Sequence, residues 1–129
     1  MKGIDLLVEI CTRDDLMSTQ KMWDEAVEDL NKHGEHGSRE LAKLLNEMLQ
    51  CRADKIGTVI VAAKKVTPVP ELISVLESIE TAAPIVPMIY GAKFRPEIQG
   101  GGQMGWTDGT AAHIRKMASE ALGSLKSPA

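Results

Sequence analysis

Three short apolar runs set the strongest constraint on what this chain can fold into. They are residues 4–10 (Ile-Asp-Leu-Leu-Val-Glu-Ile), 58–63 (Thr-Val-Ile-Val-Ala-Ala) and 85–90 (Ile-Val-Pro-Met-Ile-Tyr). Each has the length of an ordinary strand. The run at 58–63 is apolar without interruption after Thr58, the pattern of a strand covered on both faces. Pro87 lacks a ladder donor, which places the third strand at a sheet edge or a bulge.

Between these runs the apolar residues follow a helical period. Ser18 caps a segment running to about Lys32, with Met22, Trp23, Ala26, Val27 and Leu30 on one face. Gly34 suits the left-handed position past its end. Ser38 caps a second helix with Leu41, Ala42, Leu44, Leu45, Met48 and Leu49 inward, and residues 52–57 form a polar turn. Residues 67–70 open a third helix with Leu72, Ile73, Val75, Leu76 and Ile79 on its core face, proline being tolerated in a first turn. Residues 91–105, rich in glycine, read as a loop, and Trp106 as a place for a short strand. Thr107-Asp108-Gly109-Thr110 starts the last helix, with Ile114, Met117, Ala118, Ala121 and Leu122 inward and a frayed tail at 124–129.

The order strand, helix, helix, strand, helix, strand, loop, helix predicts an α/β fold: a parallel sheet with helices on both faces, in a single domain over residues 1–129. Only residues 34–37 separate the first two helices. The second strand of a regular doubly wound domain is therefore expected to be short or missing.

Composition narrows the partners. At 129 residues and 43% hydrophobic, the chain has room for one core. Aromatic residues make up 3%, too few for platforms on which nucleic-acid bases stack. The net charge is −3, with no block of like charges to grip a phosphate backbone. No apolar run approaches the roughly 18 residues of a membrane span. The N-terminal segment is read as lacking a signal-peptide core, and Cys11 and Cys51 are too few for a disulfide framework. The expectation is a cytoplasmic protein with reduced thiols, bound to neither nucleic acid nor membrane.

In its second half the chain resembles the cobalamin (vitamin B12)-binding domain of methylmalonyl-CoA mutases and corrinoid methyltransfer proteins. Gly57-Thr-Val-Ile-Val-Ala-Ala followed by Val69-Pro70-Glu71-Leu72-Ile73 is similar to that family's third strand and following helix. Met88-Ile89-Tyr90-Gly91 falls where the family has a strand ending in Gly-Gly, and Asp108-Gly109-Thr110 resembles its Pro-Gly-Thr turn. The resemblance implies a three-layer, flavodoxin-like (Rossmann-like) fold. The family's Asp-x-His-x-x-Gly signature, whose histidine ligates cobalt, is absent from residues 11–18. The serine of its Ser-x-Leu motif falls on Val59, and its first Gly-Gly glycine on Tyr90.

In such a fold, ligands bind at the carboxyl ends of the strands. That geometry would gather Arg13, Lys64, Lys65 and Lys93 into a basic rim suited to an anionic cofactor, or leave them as solvated loop residues. With the resemblance, the candidate cofactor-binding residues are Arg13, Val59, Tyr90, Gly91, Gly109 and Thr110, for cobalamin or another tetrapyrrole held without a histidine ligand. No catalytic constellation is assigned. Cys11 reads as a small buried hydrophobe. His33 and His36 invite a metal reading, but His33 also suits a helix C-terminus by charge alone, and no metal site is assigned. His113 reads as a surface residue. Two functions follow: a corrinoid- or tetrapyrrole-binding subunit serving a partner enzyme, or a cofactor-free interaction and regulatory subunit. Either implies a partner protein or a homo-oligomer.

Overall fold

Residues 4–10 lie in a helix. In the computed structural model, which describes residues 1–12, 19–53, 55–83 and 106–126, six helices follow one another. They are α1 (Lys2–Thr12), α2 (Thr19–Lys32), α3 (Glu35–Gln50), α4 (Ile56–Ala63), α5 (Pro70–Glu80) and α6 (Asp108–Lys126). Among the described residues there is no strand, so the expected α/β architecture is corrected to a helical one.

The physical reason differs between the two runs that read as strands. In residues 4–10 the apolar positions 4, 6, 8 and 10 alternate with Asp5, Leu7 and Glu9, which suits a half-buried strand. The fold instead buries Gly3, Leu7 and Ile10, spaced as one helical face, and leaves Val8 43% exposed. A strand would do the reverse with Leu7 and Val8. The run at 58–63 is apolar on every side, and such a segment suits a buried helix as well as a buried strand. Ile56, Val59, Ile60, Ala62 and Ala63 are all buried in α4, which packs on α3 and α6. Burial here outweighs the modest helix penalty of five β-branched side chains, Ile56, Thr58, Val59, Ile60 and Val61. The third expected strand, 85–90, and the loop at 91–105 lie outside the described residues.

The missing second strand resolves as well. Residues 33–34 form an ordinary corner between α2 and α3, and Gly34 takes φ +57° there, as a chain reversal without a Cβ allows. Ser38 is not a cap. It lies inside α3, fully buried, and its hydroxyl donates to the carbonyl oxygen of Thr67, tying the α4–α5 connection onto α3. Pro70 occupies the first turn of α5, and Val69 before it is extended, as a residue preceding proline prefers.

Helix α3 is the centre of the packing. It touches α2, α4 and α5, and less extensively α1, while α1 packs along α2, and α6 along α5 and α4. Leu41 and Leu45 of α3 are fully buried beside Leu7, Leu30, Ile60, Leu72, Leu76 and Ile79 of the neighbouring helices. Trp106, expected on a short strand, is an irregular residue just before α6 and is completely buried. None of the helices is long and apolar enough to cross a membrane.

Candidate functional site

Of the residues expected to bind a cofactor, Val59, Gly109 and Thr110 are among the described ones. Val59 is completely buried in α4, inside the core, where it meets protein on all sides. Gly109 and Thr110 are exposed in the first turn of α6. There the Thr107 hydroxyl accepts the Thr110 backbone N–H at 3.3 Å, so the helix start is already capped by its own chain. Arg13, Tyr90 and Gly91 lie outside the described residues, as does Lys93. Lys64 and Lys65 are exposed just beyond α4. Gathering them into a basic rim required a sheet edge. With α4 in place of the strand, that edge is gone, and the flavodoxin-like placement of a cobalamin site is corrected with it.

Cys11 is partly buried near the end of α1, and its thiol donates to the Lys55 carbonyl at 3.8 Å. Burial pushes its pKa up, with the nearby Lys55 charge opposing. The thiol therefore stays protonated at neutral pH, the opposite of an activated nucleophile. Cys51 is exposed and donates to the Met48 carbonyl at 3.6 Å. His113 is exposed on α6, as expected. Among the described residues no group of three or more His, Cys, Asp or Glu side chains is placed to hold a metal ion.

What the fold does build is a groove between α3 and α5, about 590 Å³ in volume. One wall is Arg39, Ala42, Lys43 and Asn46; the other is Glu71, Ser74, Val75 and Ser78, with Pro70 at the end. Both walls are spaced i, i+3, i+4, i+7, the stripe that one helix presents to another. Ala42 and Val75 form an apolar floor, both buried at the edge of the core. The small side chains of Ser74 and Ser78 leave the wall of α5 low, and the Ser78 hydroxyl turns back to the Ser74 carbonyl at 3.2 Å. The N-terminal end of the groove is closed by Arg39, which reaches Glu35 on its own helix at 3.2 Å and Glu71 on α5 at 3.3 Å. Lys43 is engaged by Glu40 at 3.0 Å, and that hydrogen bond holds the Glu40 carboxyl below its usual range.

The two cations of the groove, Arg39 and Lys43, are both ion-paired, and no nucleophile stands beside a base among its described lining residues. Its chemistry is that of a contact surface: apolar floor, neutral hydroxyl and amide walls, and a charged rim. Sequence reasoning missed it because α5 looks like any amphipathic helix until it lies beside α3. The available signal was the pair Ser74 and Ser78, one turn apart on the outer side of α5. No protein-family model, curated protein or solved structure matches this chain.

Proposed function

We propose that this chain is a cofactor-free interaction subunit whose α3–α5 groove receives a helix from a partner protein. The observation that carries the reading is the paired i, i+3, i+4, i+7 stripe on two adjoining helices. Seven residues at about 1.5 Å each give a trough of roughly 10 Å, two helical turns of a docked segment. Low walls let helix axes approach to about 8–10 Å. The free thiols of Cys11 and Cys51 support a reducing, cytoplasmic setting. With both groove cations ion-paired, little free positive charge is left to favour a nucleic-acid backbone.

The test has two arms. Amine-directed cross-linking in the native host is expected to join Lys43, on the groove wall, to a partner polypeptide. The double variant Ser74→Arg/Ser78→Arg should abolish that cross-link while leaving far-UV circular dichroism unchanged, because both serines are exposed. A cross-link that survives the two arginines contradicts the groove. In the second arm the chain is incubated with cobalamin or haem and passed through gel filtration. A colourless protein is expected, and a chromophore retained near stoichiometry overturns the cofactor-free reading.

A further inference from the structure

We infer that the corner between α2 and α3 carries a two-histidine site for a divalent first-row transition metal of the zinc, nickel or copper class. His33 follows α2, and His36 lies in the first turn of α3. Gly34, at φ +57°, turns the chain between them. The two rings come to 6.2 Å between centroids, with their planes 59° apart.

The hydrogen bonding of His33 sets its tautomer. Its Nδ1 lies 2.8 Å from the backbone carbonyl oxygen of Asp29. A carbonyl oxygen only accepts, so in the neutral ring Nδ1 carries the hydrogen and Nε2 holds a lone pair. Metal-bound histidines use this arrangement: one ring nitrogen ligates while the other donates to a carbonyl or carboxylate. The Asp29 carboxylate adds negative charge 3.9 Å from the same ring. It is itself held by the backbone N–H of Gly3, at 2.8 Å.

The spacing fits a shared ion. Metal–nitrogen bonds of about 2.0–2.1 Å to both rings in tetrahedral geometry set the ring centroids about 5 Å apart. From 6.2 Å, a closure of about 1 Å is needed, within the reach of rotation about the His36 side-chain bonds. Both histidines are exposed, which leaves room for water in the remaining positions. Imidazole donors select zinc, nickel and copper over magnesium or calcium. A bound ion would staple the end of α2 to the start of α3, independently of the groove.

The experiment is a Zn²⁺ titration of the full chain followed by the histidine ring signals in NMR, with Cys51→Ser included so that the exposed thiol does not compete. The ring signals of His33 and His36 are expected to move together on one saturable curve below millimolar zinc, with His113 unmoved. His33→Ala and His36→Ala should each remove the saturable response, and His113→Ala should keep it. Cu²⁺ should bind tighter than Zn²⁺, following the general order for such donors. Linear, unsaturated shifts, a His113 signal on the same curve, or full binding by His36→Ala would each overturn the site.

Discussion

Trp106→Ala is expected to cost roughly 3–5 kcal/mol of stability, the range for removing a large buried aromatic. Trp106 is among the largest fully buried side chains in the described fold. Its indole N–H donates to the Ala53 carbonyl at 3.3 Å, across the corner between α3 and α4. The Arg52 guanidinium lies 5.0 Å over the ring centroid, a cation–π contact. Arg52 is otherwise poorly provided for. It holds a positive φ of 51°, donates to the Leu49 carbonyl at 2.6 Å, and keeps a buried Nε with no partner. Removing the indole therefore opens a cavity, leaves the Ala53 carbonyl with the Ile56 backbone N–H at 3.3 Å but without its indole donor, and takes away the face on which Arg52 rests. It also frees the start of α6 from the α3–α4 corner. Urea denaturation should show the midpoint falling sharply with little change in slope. Trp106→Phe keeps most of the volume and should lose less, about 0.5–1.5 kcal/mol for the lost hydrogen bond. A loss below about 1 kcal/mol for the alanine variant would show that Trp106 is not packed as described.

Gly37→Ala is expected to be destabilising by about 3 kcal/mol, at the upper end of overpacking costs. In an exposed helix the same change stabilises by about 0.5–1 kcal/mol. The sign reverses because a Cβ on Gly37 would run into the Leu30 carbonyl oxygen and lie 2.9 Å from its carbon. These are backbone atoms of α2, and no side-chain rotation relieves the clash; α3 would have to move off α2. Gly123 gives the control within the same protein. It sits in α6 with nothing within 4 Å of a built Cβ, so Gly123→Ala should raise the melting temperature while Gly37→Ala lowers it. Two substitutions of the same sign would contradict the close approach of α2 and α3.

The helices at α2, α3, α5 and α6 were legible in the sequence because their apolar residues recur at the helical period over three or more turns. The runs at 4–10 and 58–63 were not. In the first, an odd–even alternation and a helical stripe coexist, and only the burial of Leu7 with the exposure of Val8 decides between them. In the second, an apolar residue stands at nearly every position, and the partner elements decide. The four residues at 34–37 were read as the place of a short or missing strand. They are too few for a strand but ordinary for a helix–helix corner, and they argued for a helical fold before any sheet was drawn. The resemblance in the second half then agreed with the strand already read at 58–63 and, through it, gave a binding edge to Val59, Gly109 and Thr110. The groove was illegible for a different reason: it belongs to no single segment, and arises only where the outer sides of α3 and α5 adjoin.

The central claim is that residues 4–10 and 58–63 are helices, so the sheet edge required for a flavodoxin-like cofactor site does not form from them. Backbone NMR assignment tests this most directly. The account predicts downfield Cα secondary shifts and sequential amide–amide contacts through both segments, with the Leu7 amide exchanging more slowly than that of Val8. Upfield Cα shifts with strong sequential Hα–amide contacts, and cross-strand Hα–amide contacts between 4–10 and 58–63 as in a parallel pair, would contradict it.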